Sequence, residues 1–369
     1  MQLLQIDTIS VVARSPYLVL YSRLGSYDPR WLDELLAAGK LCEYWAHAAC
    51  FLPVEDYPLA LVRHEHTQLS WQRRWKAWAA DHKREVGHVL ERIRKEGALR
   101  SKDFENETKR GTWWDWKVEK IALEYLLLNG DLMVARREGF QRVYDLRERV
   151  LPKWEGNSKL PGAAETYKQL VEKSALALGA ATEPWLRDYY RLKQVDTKRA
   201  IGALLADGVL TAVELESTGE EAYVHAKHIP LLRKALRGGL DCDRTELLSP
   251  FDPIVWHRER ASQLFGFDYL IECYTVEHKR QYGYFTLPIL HRGALIGRLD
   301  PKAHRRQGVF EVKSFHLEPG VKLGLDDWDQ LGRAIRRLAE WHGLPGISVG
   351  SSSPASSRKL LVKALDRVA

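Results

Sequence analysis

LLLNGDL, residues Leu126–Leu132, reads as the end of a helix and the start of a strand. Two leucines close an amphipathic run, a glycine stands where a left-handed C-terminal cap is needed, and an apolar residue then opens an extended segment. The same L-L-x-x-G-x-L spacing recurs as LLAAGKL at Leu35–Leu41 and as LLADGVL at Leu204–Leu210. Around the second copy, WKVEKIALEYLLLNG predicts a helix and DLMVARREGFQRVYDL a β-hairpin turning at Glu138-Gly139. Around the third, DTKRAIGALLADG predicts a helix and VLTAVELESTGEEAYVH a second hairpin. Further helices are predicted upstream: HKREVGHVLERIRKEG before the second copy, and AAETYKQLVEKSALALG with EPWLRDYYRLK before the third. One such helix ending is commonplace. Three of them, two followed by a hairpin, predict a repeated unit from Met1 to about Leu236. Helix, helix, hairpin is the winged-helix plan.

After Gly238-Gly239 the character changes. LLSPFDPIVW, YLIECYTV, GYFTLPILHRG, ALIGRLDPK and GVFEVKSFHLE are short, β-rich and broken by Pro and Gly, predicting a small antiparallel sheet or barrel. DDWDQLGRAIRRLAEWHG predicts a closing helix, and SSSPASS a mobile connector. The expected fold is α+β, with tandem winged-helix modules scaffolded by a C-terminal β-barrel-like domain. The modules fall at residues 1–75, 76–156 and 157–240, and the β-domain at 241–369.

The 369 residues are 45% hydrophobic and 28% charged, and no stretch approaches the ~20 apolar residues that span a bilayer, so no membrane partner is expected. No export signal is visible, which predicts a cytoplasmic protein. Cys42, Cys50, Cys242 and Cys273 show no C-x-x-C pair, predicting buried thiols in a reducing compartment. HEH at His64–His66 lacks partners at zinc-ligand spacing, and no P-loop, dinucleotide fingerprint or nucleophile elbow occurs, so neither metal nor cofactor is expected. WWDW at Trp113–Trp116 reads as core and capping rather than a binding cage.

A net charge of +7 favours a polyanionic partner, and the basic residues that matter are clustered. In HRGALIGRLDPKAHRRQGVFEVK two strand-like runs flank DPKAHRRQ, which places Lys302, His304, Arg305 and Arg306 at a hairpin tip with only Asp300 opposing nearby. Such a tip can enter a DNA groove and neutralise phosphates. The aromatics of KRQYGYF read as half-buried strand residues. From the residues alone the chain is a DNA-binding protein, and a regulator that only reads DNA and an enzyme that cuts something in it both remain open.

LLQIDTISVVARSPYLVLYSRLG, CEYWAHAACFLP, WLRDYYRLK, LSPFDPIVW, KRQYGYFTLPILHRG and IGRLDPKAHRRQG together resemble the winged-helix DNA glycosylases of the YcaQ/AlkZ type. The resemblance spans nearly the whole chain. It implies a bacterial, nucleoid-associated repair enzyme, a hydrolase of N-glycosyl bonds that excises N7-alkylated purines and unhooks interstrand crosslinks. The family's motif of Gln, an apolar residue, then Gln or Asp falls on Gln5, Ile6 and Asp7, in the Gln-x-Asp branch that includes YcaQ. The resemblance also carries a DNA-binding hairpin onto Arg298 to Arg306, and makes Arg14, Tyr17, Tyr44 and His47 candidates for the lesion pocket. The implied partner is double-stranded DNA with alkylated or crosslinked purines, bound by a monomer.

The chemistry suits so small a catalytic set. Glycoside hydrolysis generally uses two carboxyl groups, one to protonate the leaving group and one to assist the nucleophile. An N7-alkylguanine already carries positive charge and departs neutral, so one carboxylate suffices. Asp7 would stabilise the oxocarbenium-like sugar and position or deprotonate water, and the Gln5 amide would hold that water. No lysine accompanies the motif, which favours a monofunctional hydrolase over a Schiff-base lyase. Family members carry a longer stretch before the motif, so either this start is internal or the first module is shortened. In the second case a helix bearing Gln5 and Asp7 would begin in its own first turns and fray. A non-catalytic regulator or damage binder on the same modules is the competing reading.

Overall fold

Each of the three cap glycines adopts a left-handed backbone, with φ of +63° at Gly39, +82° at Gly130 and +68° at Gly208. In every copy the glycine N–H donates to the carbonyl of the second leucine and the next N–H donates to that of the first. The distances are 3.0 and 2.9 Å at Leu36 and Leu35, 3.2 and 2.9 Å at Leu127 and Leu126, and 3.0 and 2.9 Å at Leu205 and Leu204. This pair of bonds satisfies the last helical carbonyls and turns the chain out, at a φ that a β-carbon would strain.

The computed structural model describes residues 1–67, 70–104, 118–154, 156 and 159–368 of a mixed α+β chain; WWDW lies outside them. The first repeat comprises β1 (Leu4–Gln5), α1 (Ser15–Leu24), α2 (Arg30–Ala37), β2 (Leu41–Trp45) and β3 (Ala49–Pro53). Helices α3 (Tyr57–Thr67) and α4 (Ser70–Asp81) follow. The second comprises α5 (Lys83–Glu96), β4 (Leu99–Arg100), α6 (Val118–Asn129), β5 (Leu132–Glu138) and β6 (Gln141–Leu146). After the short α7 (Arg147–Val150), the third comprises α8 (Ala163–Leu178), β7 (Ala180–Ala181), α9 (Glu183–Tyr189), α10 (Gln194–Ala206), β8 (Leu210–Glu214) and β9 (Glu221–His225). The three sheets share one order, β1-β3-β2, β4-β6-β5 and β7-β9-β8: the short first strand pairs with the return strand of the hairpin. The first copy therefore also leads into a hairpin, Leu41 pairing with Pro53 and Trp45 with Ala49. Its sequence hides the turn, because Ala46-His47-Ala48 contains neither Gly nor Pro and closes through Ala46 N–H to the Ala48 carbonyl, 2.8 Å.

By contact the chain divides into two compact units. The first is Met1–Leu4, Pro29–Glu214 and Glu220–Ile229; the second is Gln5–Asp28, Leu215–Gly219 and Pro230–Ala369. The first unit is braced between its repeats by a buried ionic network. Glu43 on β2 accepts from Arg137 on β5, with a closest approach of 2.7 Å, and from Arg142 on β6. Arg142 also pairs with Glu124 on α6, which accepts from the Tyr144 hydroxyl at 3.1 Å.

In the second unit α11 (Ile229–Leu236) leads to β10 (Thr245–Leu247), α12 (Arg258–Phe265), β11 (Leu287–His291), β12 (Ala294–His304), β13 (Val309–Leu317), α13 (Leu325–Trp341), β14 (Gly346–Ser353) and α14 (Ser356–Arg367). The strands form one open five-stranded sheet in the order β10-β11-β12-β13-β14, not a barrel. Its last pair, β13 with β14, is parallel, with α13 between them in sequence. Ser351 to Ser353 belong to β14, so the expected connector is a strand followed by a helix. Trp328, Leu331, Ile335, Leu338 and Ala339 form one buried face of α13. They join a core with Leu287, Leu299, Phe310, Val312 and Phe315, to which Val12, Leu18 and Tyr21 also belong.

That core explains why residues 5–28, assigned by the sequence to the first module, belong by contact to the second unit. Tyr21 stacks on Trp341 with ring centroids 4.6 Å apart, and the Trp341 indole donates to the Tyr27 carbonyl at 2.6 Å. Arg23 grips Asp252 at 2.6 and 2.9 Å. Of the cysteines, Cys42 and Cys50 are buried as expected, Cys273 is half-buried and Cys242 is exposed.

Candidate active site

Gln5 ends the two-residue strand β1, and Asp7 lies in irregular chain ahead of the bend at Val11–Ala13. The motif is thus not on a helix; the helix begins at Ser15, after Arg14 as its N-cap. Asp7 is half-buried, and its Oδ1 accepts from the Ile9 N–H at 2.7 Å, closing a local turn. No cationic side chain pairs with Asp7 among the described residues. Burial raises its carboxyl above the ordinary carboxylate range, and the Ile9 N–H only partly opposes this. The Gln5 amide is half-buried and makes no side-chain hydrogen bond among the described residues. Among the described residues the pair therefore presents an uncommitted donor, an uncommitted amide oxygen and a carboxylate that no cation neutralises.

The basic hairpin forms as expected, with β12 and β13 flanking a turn at residues 305–308. Pro301 is accommodated within β12 by a register shift between Asp300 and Pro301. Lys302, Arg305 and Arg306 are exposed at this end, while His304 is half-buried and pairs with Glu311 at 2.7 Å. Arg305 also donates to the Val12 carbonyl, and the Ala303 N–H donates to the Val11 carbonyl at 3.3 Å.

Arg298 must be corrected. It is 1% exposed, pairs with Glu318 at 2.7 Å, and lies 4.3 and 4.1 Å from the ring centres of Phe267 and Tyr282. It is a core cation held by aromatic faces, with no surface to offer a phosphate. Tyr282 and Tyr284 are half-buried as expected, although in a loop rather than a strand. Asp300 is likewise buried, accepting from the Tyr284 and Phe285 N–H groups at 3.0 Å each, so it does not offset the charge at the tip.

The four lesion-pocket candidates divide between the units. Arg14 and Tyr17 are half-buried in the second unit with the motif, the Tyr17 carbonyl accepting from the Tyr27 hydroxyl at 3.1 Å. Tyr44 and His47 belong to the first. Tyr44 is 1% exposed and donates to the Leu128 carbonyl at 2.5 Å, and burial raises its hydroxyl well above its ordinary range. The His47 ring has both nitrogens engaged, by the Asp188 carbonyl at 3.1 Å and by Arg191 at 3.0 Å. Tyr44 and His47 thus hold repeats together rather than facing a base. The histidines of HEH are also committed: His64 to Gln72 at 2.6 Å, and His66 to Asp196 at 2.9 Å.

A family model described as DNA glycosylase AlkZ-like matches residues 1–341, and so takes in the motif and the hairpin together. The chain belongs to the AlkZ-like DNA glycosylase family. It is a DNA N-glycosylase, acting on DNA in repair. The solved structure of the Streptomyces sahachiroi DNA glycosylase AlkZ shares its fold, with a TM-score of 0.61 at 16% identity over 93% of this chain and 90% of that one. No helix among the described residues of this AlkZ-like glycosylase is long and apolar enough to cross a membrane. One neighbour of Asp7 was not foreseen from sequence. Burial and then the Asp7 charge raise the thiol of Cys273, in the loop after α12, above its ordinary value. The next residue, Tyr274, is 82% exposed. No motif could have found this loop, because it reaches Asp7 only through the fold.

Proposed function

We propose that this glycosylase hydrolyses the N-glycosidic bond of N7-alkylated purines, unhooks interstrand crosslinks of the same chemistry, and does so as a monofunctional enzyme and a monomer. The observation that carries this reading is a Gln5 amide without a side-chain hydrogen bond, two positions from a half-buried Asp7 that no cation neutralises among the described residues. A cationic leaving base needs no general acid, so the protein has to supply only negative charge for the oxocarbenium-like sugar and a held water. Asp7 stabilises that sugar and takes the proton of the attacking water, while Gln5 orients the water through its amide. The three helix-helix-hairpin repeats are read as winged-helix modules. Lys302, Arg305 and Arg306 supply phosphate contacts, with His304 in a lesser role because Glu311 already holds it. Arg14 and Tyr17 remain the candidates for contacts beside the lesion.

Duplex DNA treated with a methylating agent and incubated with the purified protein should lose 7-methylguanine, measured by chromatography of the released base. The product should be an intact abasic site, without strand cleavage and without a borohydride-trapped adduct. Absence of released 7-methylguanine would sink the substrate assignment, and a trapped adduct would sink the monofunctional one.

A further inference from the structure

The hairpin arm does more than approach DNA: it holds two successive carbonyls of the chain that carries the motif. The Ala303 N–H takes the Val11 carbonyl at 3.3 Å and the Arg305 guanidinium takes that of Val12. Val12 is fully buried in the same core as Phe310 and Val312 on the return strand. Val11 and Val12 lie only four and five residues after Asp7, and the carboxylate is itself tied to Ile9. Arg305 remains exposed, uses one donor on Val12, and has no carboxylate partner among the described residues, so its other donors are open to an anion. Arg306, the next residue on the same turn, is exposed and makes no such contact.

We propose that Arg305 is a positioning residue that joins phosphate capture by the hairpin to the placement of the Gln5–Asp7 segment; this rests on the reading of those two residues as the reacting pair. A phosphate on the outer edge of the guanidinium fixes its plane, and the inner edge then fixes the Val12 carbonyl and the bend behind Asp7. Arg306 and Lys302 contribute charge alone.

The test compares Arg305→Ala with Arg306→Ala in the full-length protein, on a duplex containing one N7-methylguanine. Both variants should weaken DNA binding by similar factors. Under saturating protein, in single turnover, Arg305→Ala should release base about tenfold more slowly than Arg306→Ala, the effect of losing one charge-assisted hydrogen bond. Arg305→Lys, which still offers a cationic donor to Val12, should recover most of that rate. Equal saturated rates for the two alanine variants overturn the proposal. If Arg305→Ala does not fold, Arg305→Gln serves: neutral and without the phosphate contact, it should lose affinity and slow base release at saturation as the alanine variant does, and a saturated rate equal to that of the unaltered protein overturns the proposal. Asp7→Asn run alongside separates the two readings. Its full activity would sink the reacting pair, whereas an inactive Asp7→Asn beside a fully active Arg305→Ala removes only the role of Arg305.

Discussion

Glu43 and Asp7 are both carboxylates drawn away from water, one in each unit, and the molecule treats them in opposite ways. Glu43 is met by Arg137 and Arg142, and the second of these arginines is shared with Glu124. Asp7 receives one backbone N–H and no cation among the described residues. A buried carboxylate that serves the fold has its charge cancelled, because an unpaired ion in a poorly hydrated site costs several kcal/mol. A carboxylate that serves chemistry has to keep its charge available. The contrast separates a brace from a candidate reactive group without appeal to any motif.

The sharpest way to break the contrast is to unpair the brace. Glu43→Gln leaves Arg137 and Arg142 beside a neutral amide and should destabilise the protein by about 3–5 kcal/mol, read from denaturant unfolding. A loss under ~1 kcal/mol would show that Glu43 is not the centre of that network. Next is Asp7→Asn, which should slow 7-methylguanine release by about a hundredfold or more while leaving DNA affinity near that of the unaltered protein. Its effect on stability should run the other way. The native carboxyl is raised, so the folded state binds its proton more tightly than the unfolded state, and the ionised form is a burden once pH has passed the raised value. The melting temperature of Asp7→Asn at neutral pH should therefore be equal or higher. By the same sign, base release should fall as pH drops through a midpoint above the ordinary aspartate value of 3.8, and this limb should vanish from the residual activity of Asp7→Asn.

Two smaller effects compare the arginines of the C-terminal hairpin. Arg298→Met should cost roughly 1–3 kcal/mol through the lost Glu318 bond and aromatic contacts, with DNA affinity unchanged at equal folded concentration. A selective loss of affinity would return Arg298 to the interface. The pair Lys302→Gln with Arg306→Gln should leave stability unaltered and flatten the dependence of binding on salt by about two phosphate contacts, near 0.9 in logarithmic slope for each. An unchanged slope would place DNA elsewhere.

Much of the fold was legible because its determinants are local. The left-handed glycines at Gly39, Gly130 and Gly208, the period of the helices before them and the runs of β12 and β13 all act within a few residues. Errors came where the partner lay far away in the chain. Ser351–Ser353 carries no strand signature and becomes one only by lying parallel to β13. Arg298 sits among surface-like basic residues, and its burial follows from Phe267, Tyr282 and Glu318. Tyr44 and His47 are typical polar site residues until α6 and α9 supply the Leu128 and Asp188 carbonyls that engage them.

The same division runs through the candidate site. The sequence alone determined the residue types, Gln5 and Asp7 two positions apart and a basic hairpin tip, because these are properties of short segments. Only the tertiary structure decided that the motif segment belongs with the C-terminal sheet. It also decided that Asp7 lacks a cation among the described residues and that Arg305 reaches Val12 across 293 positions of sequence. Burial and pairing depend on which distant groups displace water from a side chain, and no local pattern specifies that.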